Sequence, residues 1–283
     1  MARLFRRNSI KALALDLDGT LLGPGGVLSE RAAAAVRACR DRGLGIVIAT
    51  GRAVEAAEKF RRPLGVEGPM VYFNGAVVAD MPGGRVLNTT LLDPGAAVFC
   101  LRVAREAGAY YQVFFPGTPE HPRETLMAEK SGPERDMYRD HTGMLAEMGD
   151  LERALALPGL PGCIKAMFIA EPPVQDRIRA RIEERFGAAV YIARTYGTFL
   201  EVLNPGISKG KGLLQALEHR GLKPEEAVAF GDEENDLPMF EAASWAVAPG
   251  NAKDSVKKAA DQVIGSNADD SVAAFLEQTF LLP

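Results

Sequence analysis

Two carboxylates stand two residues apart in Asp16-Leu17-Asp18-Gly19-Thr20, directly after the unbroken apolar run Ala12-Leu13-Ala14-Leu15. An extended backbone aims residues i and i+2 the same way, so Asp16 and Asp18 project together from a strand end. Their like charges repel, and a protein that keeps both there can hold a cation between them. Gly19 lets the chain turn sharply, and Thr20 can hydrogen-bond that turn. The plainer alternative is a solvated strand end with an Asx-turn. An EF-hand loop fits poorly: counted from Asp16, its sixth and twelfth positions hold Leu21 and Val27 rather than Gly and Glu.

Three further groups occupy comparable places. Thr50-Gly51-Arg52 closes the apolar run from Leu44 to Ala49, Lys209 opens a helical stretch, and Gly231-Asp232-Glu233-Glu234-Asn235-Asp236 follows the short run from Ala227 to Phe230. Each alone has an ordinary explanation. Thr50 can cap the next helix, Lys209 can be a surface lysine, Asp232 can belong to an acidic loop, and Asp236 can cap the helix through Phe240. Open parallel sheets bind ligands outside the carboxyl ends of their strands. All four groups fall at that edge, which argues for one shared site.

The elements that carry them follow from punctuation and periodicity. Short apolar runs at Ala12–Leu15, Leu44–Ala49 and Met70–Phe73 alternate with helices over 29–43 and up to about Arg62, as in a parallel sheet with crossover helices. Asn74-Gly75 reads as a tight turn. From about Gly83 the pattern changes. Strands are expected at Val86–Leu92, Tyr110–Phe115, Cys163–Ile169, Val190–Ala193 and Phe199–Leu203. Helices are expected from Asp93-Pro94 to Gly108, over 144–156 and over Val174–Phe186. Strands that can pair without a crossover helix after each suggest an antiparallel sheet with helices on one face. The first pattern returns with a helix over 208–220 and strands at Ala227–Phe230, Trp245–Ala248 and Gln262–Ile264. The expected organisation is therefore a parallel α/β core over 1–83 and 201–283, interrupted by a second domain over 84–200.

Composition narrows the class. The 283 residues are 47% hydrophobic and 25% charged with a net charge of −4, which suits a globular chain and offers no basic footprint for nucleic acid or an anionic membrane. No apolar segment reaches membrane-spanning length. Arg3 to Arg7 followed by Ile10-Lys11-Ala12-Leu13 faintly imitates a signal peptide. Its apolar part runs straight into Asp16 and Asp18 without a cleavage site, so a cytoplasmic start is expected. Cys39, Cys100 and Cys163 lie far apart in apolar stretches and read as buried free thiols. The three histidines lack metal-ligand spacing, so no zinc site is expected.

Taken together, Asp16-Leu17-Asp18-Gly19-Thr20, Thr50, Lys209 and Gly231-Asp232-Glu233-Glu234-Asn235-Asp236 resemble the four motifs of the haloacid dehalogenase-like (HAD) phosphohydrolases. Residues 51–208 separate the second motif from the third, while only a helix and a strand fit between the first and second. An insertion at that point resembles the subclass IIB, or Cof-type, members. Phe199-Leu200-Glu201-Val202, Ile207-Ser208-Lys209-Gly210 and Gly250-Asn251-Ala252 are similar to that subfamily as well. The resemblance implies a Rossmann-like HAD core with an inserted α/β cap and a Mg2+-dependent phosphatase acting on a small phosphorylated metabolite, a sugar phosphate or similar phosphoester. It implies Asp16 as nucleophile and Asp18 as general acid and base. It implies metal ligands from Asp16, Asp232 and the backbone carbonyl of Asp18. Thr50, Lys209, Asn235 and the backbone amides of Leu17 and Gly51 would hold the phosphoryl oxygens, and Asp236 would orient Lys209 or its loop. Hard oxygen ligands suit Mg2+ better than zinc. Two residues depart from the pattern: Glu233 stands where a small residue is usual, which could add a carboxylate near the metal, and Ser271 replaces a common glycine. Arg52 is expected to be structural and Asn74 a turn residue. Leaving-group recognition would fall to the cap, whose candidate polar residues are His121, Arg123, His141, Arg194 and Tyr196.

Two rivals stand beside this reading. A phosphomutase of the same superfamily would keep every motif and would need a bisphosphate. A phospho-receiver module also uses Asp, Thr, Lys and Mg2+, but receivers are single domains of about half this length and gain nothing from an acid at the position of Asp18. A non-catalytic phosphate-binding protein would not need every catalytic position filled. Expected partners are a small phosphoester alone, with the chain a monomer or weak homo-oligomer.

Overall fold

A computed structural model describes residues 5–117, 123–156, 162–195 and 197–282. The chain divides into two compact units. One comprises the residues up to Arg52, Ala57–Asn88 and everything from Ser208 on. The other comprises Ala53–Ala56 and Thr89–Ile207.

The first unit is built on five parallel strands in the order Gln262–Val263, Trp245–Ala248, Ala227–Phe230, Ala12–Leu15 and Gly45–Ile48. Ala12–Leu15 lies between Ala227–Phe230 and Gly45–Ile48, and all four of its residues are fully buried. A strand covered on both faces has no polar alternation, which is why its sequence is a continuous apolar run. The flanking helices begin where the sequence supplies caps. Ser29 accepts from the N–H of Ala32 at 2.9 Å to open Glu30–Asp41, and Ser208 accepts from the N–H of Lys211 at 3.1 Å to open Lys209–His219. Small residues let these elements close on the sheet: Gly212 admits Val71, whose methyl carbon would lie 2.5 Å from a β-carbon placed there.

The third apolar run departs from a parallel continuation. Gly68–Tyr72 touches the sheet through a parallel bridge between Ala49 and Val71, then turns back and pairs antiparallel with Val77–Met81. Only residues 73–76 connect the two strands, too few for a crossover. Arg85–Thr89 joins this three-stranded sheet, and its residues up to Asn88 belong to the first unit.

The second unit holds a six-stranded sheet in the order Tyr191–Thr195, Phe199–Leu203, Lys165–Ile169, Tyr110–Phe115, Thr125–Ala128 and Glu147–Met148, antiparallel except for the last pair. Pro94–Ala107 and Pro172–Phe186 cover one face, packing on Tyr111, Val113, Phe168 and Val202. The other face is not bare: Pro133–Thr142 lays Tyr138 against Phe114 and Phe199, with ring centroids 6.0 and 5.6 Å apart. Helices therefore sit on both faces, contrary to the one-sided expectation. Within 116–162 the helix expected over 144–156 begins only at Leu151, and the helix Pro133–Thr142 and strand Thr125–Ala128 were missing from the pattern. The unit also runs past residue 200 to Ile207, because Phe199–Leu203 is paired on both sides within its sheet.

Candidate active site

Asp16, Asp18, Thr50, Lys209, Asp232, Asn235 and Asp236 all lie in the first unit. The parallel register decides which of them meet. Leu15 pairs with Phe230 on one side and Ile48 on the other, so the loops starting at Asp16, Gly231 and Ala49 leave the sheet side by side. The helix Lys209–His219 carries Lys209 at its first position, fully buried.

Asp16 and Asp236 share that lysine. Lys209 Nζ donates to Asp16 Oδ1 and to Asp236 Oδ1, at 2.6 Å each. Asp236 Oδ2 accepts from the backbone N–H groups of Asp232 and Glu233, both at 3.0 Å. Both oxygens of Asp236 are thus engaged, and it fixes the lysine and the Asp232 loop together. Asp232 Oδ1 accepts from the hydroxyl of Thr20 at 2.8 Å, so Thr20 spans to the facing loop. Gly19 has φ +78°, and a β-carbon there would lie 2.2 Å from Asp232 Oδ2. Only glycine fits both the backbone and the space. Asn251 Nδ2 donates to the carbonyl of Gly19 at 2.8 Å and pins this loop from the far side.

The electrostatics suit a divalent cation. Carboxylate oxygens of Asp16, Asp232 and Asp236 lie within 4.8 Å of one another. Three carboxylates against the one ammonium of Lys209 leave two negative charges in a buried place. Burial, with Asp236 and Asp232 nearby, pushes the Asp16 carboxyl well above the usual carboxylate range despite Lys209. Burial likewise raises Asp232 to about 6, against the Thr20 hydrogen bond that lowers it. Lys209 is desolvated, but Asp16 and Asp236 more than offset that and hold it firmly charged. Excess negative charge and two unstable carboxylates are what a hard cation would relieve.

The second carboxylate of the pair behaves differently. Asp18 is half exposed and held by both Nε and Nη2 of Arg52 at 2.7 Å. Arg52 lies over the ring of Phe60, 5.0 Å from its centroid, a cation–π seat that fixes the guanidinium. Arg52 is therefore tied into the site, a role that its place next to Thr50-Gly51 hints at and that its residue type alone does not specify. Thr50 is buried, its Oγ1 accepting from the N–H of Arg52 at 3.1 Å. Asn235 Nδ2 donates to Asn74 Oδ1 at 2.9 Å, a link invisible in sequence because the two residues stand 161 positions apart. Leu17 is fully buried, and its carbonyl accepts from the N–H groups of Thr20 and Leu22. Glu233 does not join the acidic cluster: it pairs with Lys253 at 2.8 Å and is half exposed.

In the second unit, Arg194 pairs with Asp176 at 2.6 Å, Arg123 approaches Glu55 at 3.6 Å, and the His141 ring stands edge-on to Phe199. His121 and Tyr196 lie outside the described residues.

A buried carboxylate, a lysine bridge and an acidic cluster thus meet at adjacent strand ends of a parallel sheet, the edge where such sheets bind ligands. A family model described as haloacid dehalogenase-like hydrolase matches residues 13–276, and the chain belongs to that family. It is 30% identical to pyridoxal phosphate phosphatase YbhA of Escherichia coli over 94% of this chain and 97% of that one. It is 29% identical to 5-amino-6-(5-phospho-D-ribitylamino)uracil phosphatase YitU of Bacillus subtilis, over 95% and 97%. Among solved structures, a haloacid dehalogenase-like hydrolase from Bacteroides thetaiotaomicron superposes with a TM-score of 0.85 at 25% identity, covering 96% of this chain and all of that one. The protein is a phosphoric monoester hydrolase. Among the described residues no helix is long and apolar enough to cross a membrane.

Proposed function

We propose that the core site hydrolyses a phosphomonoester of a small polar metabolite, a sugar phosphate or a related phosphorylated polyol or vitamin, through a phosphorylated Asp16. The observation that carries this reading is the buried chain Asp16–Lys209–Asp236. It holds one oxygen of Asp16 against an ammonium and leaves the carboxylate fixed for in-line attack. Mg2+, held by Asp16, Asp232 and the backbone carbonyl of Asp18, would supply the positive charge that lets a carboxylate approach a phosphate dianion. Thr50, Asn235, Lys209 and the N–H groups of Leu17 and Gly51 would bind the phosphoryl oxygens. As the P–O bond to the leaving group breaks, Asp18 gives that oxygen a proton. Asp18 then takes a proton from water, whose oxygen attacks phosphorus, frees Asp16 and yields inorganic phosphate. Arg52 keeps Asp18 at the mouth of the site between these steps.

The names of the relatives widen the substrate set worth testing to pyridoxal phosphate and ribityl phosphates. The test is phosphate release from a panel of sugar phosphates, nucleotides and vitamin phosphates, with Mg2+ and with excess EDTA. Release that depends on Mg2+ and favours one polar phosphoester supports the reading. Full turnover in EDTA contradicts the metal role, and isomerisation requiring a bisphosphate marks a phosphomutase instead.

A further inference from the structure

The turn after Gly68–Tyr72 carries three successive residues with positive φ: Phe73 at 50°, Asn74 at 56° and Gly75 at 99°. Glycine takes this region freely, but side-chain-bearing residues do so only where their surroundings over-determine it, and such places concentrate at functional sites. The surroundings here are the site itself. The N–H of Asn74 donates to the carbonyl of Thr50 at 3.1 Å, and that of Phe73 to Arg52 at 3.0 Å. On the other side, a β-carbon on Gly75 would lie 2.2 Å from the carbonyl oxygen of Ser208, so the turn is pressed against the start of the Lys209 helix.

The side chain of Asn74 is only 2% exposed. Its Oδ1 accepts from Asn235, while its Nδ2 is buried and has no hydrogen-bond partner among the described residues. A turn former at this position needs no amide, since glycine would satisfy the backbone, and burying an unpaired N–H is unfavourable. A β-carbon placed on Gly51 would stand 3.0 Å from Asn74 Oδ1 and 3.3 Å from Nδ2, so the amide lies directly against the Thr50-Gly51 loop. An anionic oxygen received there beside Asn235 would give the orphan donor its partner.

We infer that Asn74 is a further binding residue for the transferred phosphoryl group. Its Nδ2 donates to a phosphoryl oxygen, and its Oδ1 aims Asn235 at the same group. This rests on the phosphomonoester reading of the core site. Asn74→Gly keeps the positive φ and removes the amide. Asn74→Asp tolerates the same φ and keeps an acceptor for Asn235, but replaces the donor by a carboxylate. Both variants and the wild type, as full chains with Mg2+, are assayed for melting temperature, kcat and KM on p-nitrophenyl phosphate, and inhibition by inorganic phosphate. Losing one hydrogen bond to a charged acceptor should raise the phosphate inhibition constant of Asn74→Gly roughly 10- to 100-fold and lower kcat/KM comparably. Asn74→Asp should lose at least as much. A wild type that is inhibited by phosphate beside an Asn74→Gly variant within about twofold of it in both quantities overturns the inference. So does an Asn74→Asp variant that binds phosphate like the wild type. A wild type that neither hydrolyses the aryl ester nor binds phosphate overturns the underlying phosphatase reading first.

Discussion

Lys209 offers the sharpest quantitative test of the site's electrostatics. It is buried and bridges Asp16 and Asp236 at 2.6 Å each. Lys209→Met preserves the length and the apolar packing of the stem but leaves three clustered carboxylates without their counter-charge. Breaking a buried ion pair by removing one partner costs about 3–5 kcal/mol, and a lysine shared by two carboxylates belongs in the upper part of that range. At about 2–4 °C per kcal/mol, the unit holding the site should melt roughly 8–20 °C lower in EDTA. The loss should depend on pH in a definite direction. Burial already raises the Asp16 carboxyl well above its usual range, and removing Lys209 raises it further. A carboxyl that binds its proton more tightly when folded adds stability below its unfolded pKa and loses it as pH climbs through the folded value. The variant should therefore be hurt more at pH 8.5 than at pH 6. Adding Asp16→Asn should return part of the loss, because it removes one of the uncompensated charges. Calorimetry in EDTA at both pH values is the assay. A variant within about 2 °C of the wild type at both refutes the charge balance described for this cluster.

Three further outcomes are expected. With an activated aryl phosphate, rapid acid quench and intact mass should show a phosphate adduct on Asp18→Asn and none on Asp16→Asn, since the first keeps the nucleophile and loses only the acid–base group, about 10²–10⁴-fold in turnover; an adduct on neither, with Mg2+ still bound, contradicts the assigned roles. Gly19→Ala would set a β-carbon 2.2 Å from Asp232 Oδ2 at φ +78°, so it should lose about 1–2 kcal/mol of stability from the backbone alone and weaken Mg2+ binding measured by calorimetric titration; unchanged Mg2+ affinity would show that Asp232 is not held there. Burial pushes the thiols of Cys39 and Cys163 up to about 11 and about 12 and Cys100 higher still, so at pH 8 a disulfide reagent should label the native protein negligibly and all three thiols after denaturation; rapid labelling of the native protein would contradict that packing.

Much of this molecule is local in origin and was legible residue by residue. The fully buried run Ala12–Leu15 and the caps at Ser29, Asp93 and Ser208 follow from short-range pattern and hydrogen bonding. So do the positions of Asp16, Thr50, Lys209 and Asp232 at strand ends and a helix start, because a strand end is marked by the residues that make it. Pairing was not legible. Gly68–Tyr72 looked like another parallel strand, and its return along Val77–Met81 depends on a four-residue connection pressed against the start of the Lys209 helix. Thr125–Ala128 is too short at four residues to show a period, and Pro133–Thr142 buries only Tyr138 and Thr142, which leaves no apolar stripe to read. Sequence likewise named the ionisable residues without saying how they divide. That Asp236 is saturated by Lys209 and two backbone N–H groups, that Asp18 turns to Arg52, that Glu233 turns away to Lys253, and that Asn74 meets Asn235 are all contacts between segments far apart in the chain. Composition and spacing carry no term for such distances; they are set when the parallel register and the helix packing bring the loops to one edge.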